Sequence, residues 1–204
     1  MERAEAALVA VREEARTRLG EHPRSVIDAN LIRARVASGR LGDDATVIEA
    51  ALDAFERLGD DPWVAEAGAL ATRVHVAAGA HGAALAALRR ALAAGLRHVP
   101  APHLAHPVAV VADLLARCSP LDATRLHALV AASPRTPGPL RRASLTALGR
   151  GASPSRTPEV ALRPAAAAPI EADDALRRAA RRLLDGTLPS GADLALAIRS
   201  CCAR

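Results

Sequence analysis

The 204-residue chain has no Tyr, one Phe (Phe55) and one Trp (Trp63). Sheet sandwiches and barrels fill their interiors with β-branched and aromatic side chains. That class is therefore disfavoured, and Leu, Val, Ile and Ala must form the core. Lysine is also absent, so all 27 basic residues are Arg. This excludes a phosphate-binding loop ending in Gly-Lys-Ser/Thr, and the bias suits a GC-rich genome. No apolar run reaches the roughly 18 residues needed to span a bilayer. The opening "MERAEAALVAVREEARTRLG" is interrupted by acids and lacks a signal peptide's apolar centre. A cytoplasmic protein with no membrane partner is expected. The three Cys are odd in number, and Cys201 and Cys202 are adjacent, which suits reduced thiols better than a disulfide framework.

What is present is helical. Half of the chain is hydrophobic, much of it Ala, the residue with the highest intrinsic helix propensity. Ile48, Leu52, Phe55 and Leu58 step by four, three and three along one stripe. Val64, Ala67, Leu70, Ala71, Val74 and Ala78 form another, as do Leu85, Leu88 and Leu92, then Leu104, Val108, Val111 and Leu115. The Gly59-Asp60-Asp61-Pro62 run supplies a C-terminal Gly, an Asp N-cap and an early Pro. Ser119, Pro120 and Asp122 repeat the N-cap logic, with Asp122 near the capping-box position. These signals predict helices over 2–19, 24–38, 43–58, 62–78, 81–96, 103–117 and 120–132. The expected core stripe is Ile48, Leu52, Leu70, Val74, Leu85, Leu88, Val108 and Val111.

A period underlies the series. Pro23, Pro62 and Pro102 each open a helix, and Gly39 and Gly79 close the first two of these. The spacing is about 40 residues, long enough for a helix pair that must stack on its neighbours to bury its stripe. In residues 64–92, Thr72 sits where the first helix is closely approached, and His75 occupies an aromatic position. Gly79 lies at the turn, and Ala84, Leu88 and Ala91 alternate small, large and small. On these residues the chain resembles the tetratricopeptide-like family of α-helical repeats. The resemblance implies an all-α, antiparallel helix-hairpin array over residues 1–132, a short right-handed solenoid. Similar arrays contact partners in large bacterial signalling and transcription regulators.

The last third differs. Residues 1–132 carry a net charge of −1 and residues 133–204 a net of +6. Eight of the 14 Pro also fall after residue 132. Residues 133–170 read as a Pro/Ser/Arg-rich linker containing one helix around 138–149. Residues 171–204 read as a helical segment: "EADDALRRAARRLLDG" is amphipathic with acids first and Arg later, and "GADLALAIRSCCA" forms a final short helix. Residues 184–195 resemble the first part of a GntR-family winged-helix domain, but the chain stops at Arg204, before that family's recognition helix.

Candidate chemistry is sparse. His98, His103 and His106 lack an acid or Cys at ligand spacing. "VHVAAGAHGAALAAL" lacks the third Gly of a dinucleotide fingerprint. Cys118, before Ser119-Pro120, has no local mark of activation and reads as a small buried apolar residue. No cofactor, metal or catalytic residue is expected. The function expected is therefore non-enzymatic: a protein-interaction or regulatory module whose first helices line a partner groove through Arg33, Arg35, Arg73 and His75. Trp63, at a helix start, is either a partner anchor or a packing residue across a hairpin junction. Arg141-Arg142-Ala143-Ser144-Leu145 has the form of a basophilic kinase substrate, which makes Ser144 the candidate phosphosite. The rival reading is a DNA-associated transcription regulator whose basic C-terminal third touches phosphates.

Overall fold

The computed structural model describes residues 2–41, 44–97, 102–151 and 169–202. Among them are ten α-helices and no strand: α1 (Glu2–Arg18), α2 (Glu21–Ser38), α3 (Ala45–Arg57), α4 (Asp61–Ala77), α5 (His81–Arg97), α6 (Ala105–Leu115), α7 (Pro120–Ala132), α8 (Gly138–Gly151), α9 (Pro169–Leu184) and α10 (Leu194–Cys202). A 3-10 turn at Pro102–Leu104 precedes α6. No helix among the described residues is long and apolar enough to cross a membrane. The chain divides into two compact units, Met1–Ala91 and Leu92–Arg204. The boundary expected at residue 132 therefore falls inside the second unit.

In the first unit, helices pack on their sequence neighbours, α1 with α2, α2 with α3 and α3 with α4, and α2 also meets α4. The punctuation is the one the sequence announces. Gly39 and Gly79 adopt φ of 68° and 71°, a left-handed conformation that costs glycine little. At Gly79 the amide donates to the Val76 carbonyl and the Ala80 amide to that of His75, 2.8 Å away, so two otherwise orphaned carbonyls of α4 are satisfied. The carboxylate of Asp60 accepts from the Trp63 amide at the start of α4, with Pro62 in the first turn. Pro23 does not open its helix; α2 begins two residues earlier.

Helices α4 and α5 approach closely along small residues. A methyl group placed on Gly68 would stand 2.9 Å from the Ala91 Cβ and 3.0 Å from the Ala87 carbonyl oxygen. The Thr72 hydroxyl, fully buried, donates to the Gly68 carbonyl at 2.8 Å. The buried face of α5 is Ala84, Ala87, Leu88, Ala91 and Leu92. Leu85 is only half-buried, which corrects its place in the expected core stripe. It lies one residue, about 100° of helix, away from the Ala84 edge of that face.

In the second unit α7 is central, packed against α6, α8 and α9, while α10 returns onto α6. Residues 138–151, inside the stretch read as linker, are helix α8; residues 152–168 of that stretch lie outside the described residues. Helix α9 buries Ala172, Leu176, Ala179, Ala180 and Leu183 and exposes Arg178, Arg181 and Arg182. The turn after it is closed by Leu188 N donating to Ala192 O and Leu194 N to Gly186 O. Its Ser190 hydroxyl donates to the Asp122 carboxylate at 2.7 Å, as does Ser119. Asp122 is fully buried and thus ties the start of α7 to the α9–α10 turn. Cys118 corrects two expectations: it is exposed, not buried, and disulfide-bonded, not reduced.

Candidate functional site

The aromatic residues meet in one place. Phe55 is fully buried; the Trp63 ring stacks on it at 5.3 Å between centroids, and His22 meets it edge-on at 5.7 Å. The Arg33 guanidinium lies 5.9 Å above the Trp63 ring, close enough for cation–π attraction, and pairs with Glu66. Trp63 therefore bridges α3 and α4 and carries Arg33 on its outer side. His22 is itself paired with Asp60 at 2.8 Å.

The other groove candidates are also engaged within the unit. Arg35 bonds to Glu5 at 3.1 Å and to Asp44, a carboxylate only 1% exposed. Burial alone would lower the Arg35 pKa; the bonds and charges of Asp44 and Glu5 outweigh it and raise the pKa. His75, buried, meets Glu49 at 2.6 Å. Arg73 is half-buried on α4. The positions read as a partner groove thus include Arg33, Arg35 and His75, whose first role is to brace α2 and α4 against α1, α3 and each other.

Sequence reasoning missed the strongest such brace. Arg90 on α5 bonds to Glu49 at 2.9 Å, Asp53 at 2.5 Å and Glu56 at 2.8 Å, all on α3. The acids at positions 49, 53 and 56 form a helical stripe, and that pattern was the available signal. Partial burial would lower the Arg90 pKa, but Glu56 and Asp53 outweigh it and raise it. A raised pKa means stabilisation that is complete below the ordinary arginine value and lost only as pH rises through the raised one, so salt is the useful probe and pH is not. Arg90 is about a quarter exposed, which places the cost of Arg90→Gln below that of breaking a buried pair, at about 1–2 kcal/mol. Urea midpoints should show this loss at low salt and a smaller one at about 1 M, where screening is effective beyond about 3 Å.

A cleft of about 250 Å³ opens among α1, α2 and α3, floored by Ala50, Ala51 and Ala54 and edged by Arg12, Arg24 and Asp28. Arg12 meets Asp28 at 2.6 Å, and Arg24 donates to the Gly20 carbonyl.

In the second unit, Ser144 and His127 lie 3.4 Å apart, and His127 reaches Asp113 at 3.4 Å. The residue types match those of a nucleophilic relay, but Ser144 is 1% exposed, so its oxygen is closed off from solvent. The arrangement is a polar tie among α6, α7 and α8. The same burial bears on Ser144 as a phosphosite, because a kinase meets its hydroxyl only after α8 leaves α7. Among the described residues no group of three His, Cys, Asp or Glu is placed to hold a metal; His98 lies outside them.

No protein-family model matches the chain, and no curated protein or solved structure matches it either.

Proposed function

We propose that the chain is a non-enzymatic protein-interaction or regulatory module built from stacked helix hairpins of tetratricopeptide-like type, as found in bacterial regulators. One observation carries the reading: α2 recurs as α4 about 40 residues on, each closed by a left-handed glycine, and the two helices touch across the sequence-intervening α3. Helix pairs of this size cannot bury their stripes alone and gain stability by stacking, which leaves an extended surface suited to a polypeptide. The polar side chains of the first unit support it too, since they link helix to helix and do not converge on a reacting centre. The groove proposed lies along α2 and α4, with Trp63 and the half-buried Arg73 of α4 as its contacts. Arg73→Glu is expected to weaken capture of a partner by the intact protein by about tenfold or more while leaving its helical circular-dichroism spectrum unchanged. Unaltered affinity would reject the groove.

A second reading is favoured by one specific feature, the exposed Arg178, Arg181 and Arg182 on a single face of α9. Such a row suits phosphate contacts without base readout. Because α9 packs on α7, truncation would damage the unit, and the Arg178→Glu/Arg181→Glu pair is the cleaner probe. Salt-dependent duplex binding lost in that variant supports a DNA-associated role; no binding by the intact chain removes it.

A further inference from the structure

We propose that the disulfide at Cys118 is a reducible latch that holds α10 against α6. Cys118 lies in the turn between α6 and α7, is exposed and is disulfide-bonded. The chain's two other cysteines, Cys201 and Cys202, are the last residues of α10. The Cys118 sulfur lies 3.7 Å from the Ala197 carbonyl oxygen of α10. Its own bond to sulfur leaves it no proton to donate, so this is a contact and not a hydrogen bond.

Three features make the bond a latch and not a general staple. Its sulfur is open to solvent, and exposed disulfides are the ones thiols reduce readily. The helix it restrains has only nine residues, too few to persist alone in water. The remaining attachment of α10 is narrow: Leu194 and Ile198 are its described buried apolar side chains, with Ser190–Asp122 fastening the preceding turn. By contrast α6, α7 and α9 hold one another through broad apolar faces, and α8 packs against α7. Reduction therefore removes most of what fixes α10 and little of what fixes the rest. The step balances with a dithiol as reductant. Its thiolate attacks one protein sulfur, and its second thiolate resolves the mixed disulfide. Two protein thiols and one oxidised dithiol result, with two electrons passed to the protein.

The experiment compares the intact protein before and after dithiothreitol by alkylation mapping and amide exchange. Before reduction, iodoacetamide should leave Cys118 unlabelled. After it, Cys118 should be labelled and exchange within 194–202 should rise about tenfold or more, with α7 and α8 unchanged. Cys118→Ser should show the same rise in exchange within 194–202 without reductant; should that variant fail to fold, the reduced wild-type protein decides. Labelling of Cys118 before reduction, unchanged exchange in 194–202, or loss of protection throughout α6–α9 would each overturn the latch.

Discussion

Phe55→Ala is expected to destabilise the first unit by about 3–5 kcal/mol, the range for deleting a buried aromatic ring. The chain offers no second phenylalanine to share the load. Phe55 is fully buried and meets Trp63 face to face and His22 by its edge, so one truncation strips contacts from α2, α3 and α4 together. Aromatic pairs also contribute about 0.5–1.5 kcal/mol beyond their buried area. Urea unfolding gives the magnitude, and amide exchange should show lost protection in α2–α4. Phe55→Leu, which keeps more of the volume, should recover over half the loss. A cost of under about 1 kcal/mol for Phe55→Ala, below the range for filled cores, would mean that the ring is not the keystone of this junction.

The second large effect is expected at Leu126, fully buried on α7. Because α7 is packed by α6, α8 and α9 at once, a cavity there has no free side from which to collapse. Leu126→Ala should cost about 2–5 kcal/mol, toward the upper end because the surroundings relax poorly. Protection should fall in α6–α9 before it falls in α2–α4, since the cavity lies within the second compact unit. Equal loss in both units would show that they unfold as one.

Much of the helical layout was legible because its signals are local. Asp60 and Pro62 mark one start and Gly39 and Gly79 mark two ends, each through backbone chemistry decided within a few residues. The final helices were readable for the same reason: α9 keeps its apolar residues on one stripe. What escaped sequence reasoning depends on distant partners. Arg90 finds its acids 34 to 41 residues away, and nothing local separates it from Arg73. Arg33 and Arg35 read as surface cations because their partners, Glu66, Glu5 and Asp44, are brought in by packing. Ser144 sits in a motif whose kinase-like reading assumes an open chain, and α8 is closed on His127. The disulfide at Cys118 escaped too, because an odd cysteine count with Cys201 and Cys202 adjacent suits reduced thiols.

The left-handed glycines of the first unit fall at residues 39, 59 and 79, an even beat of one helix and one turn. Parity follows from that beat. Adding or removing a single beat would make the sequence of α3 stand where α2 or α4 stands, and every side chain shaped for one neighbour would face another. Adding or removing two beats restores each helix to a place of its own kind. Length variation in this stretch should therefore come in doublets, and a recombinant chain lengthened by one doublet should keep its register where one lengthened by half a doublet loses it.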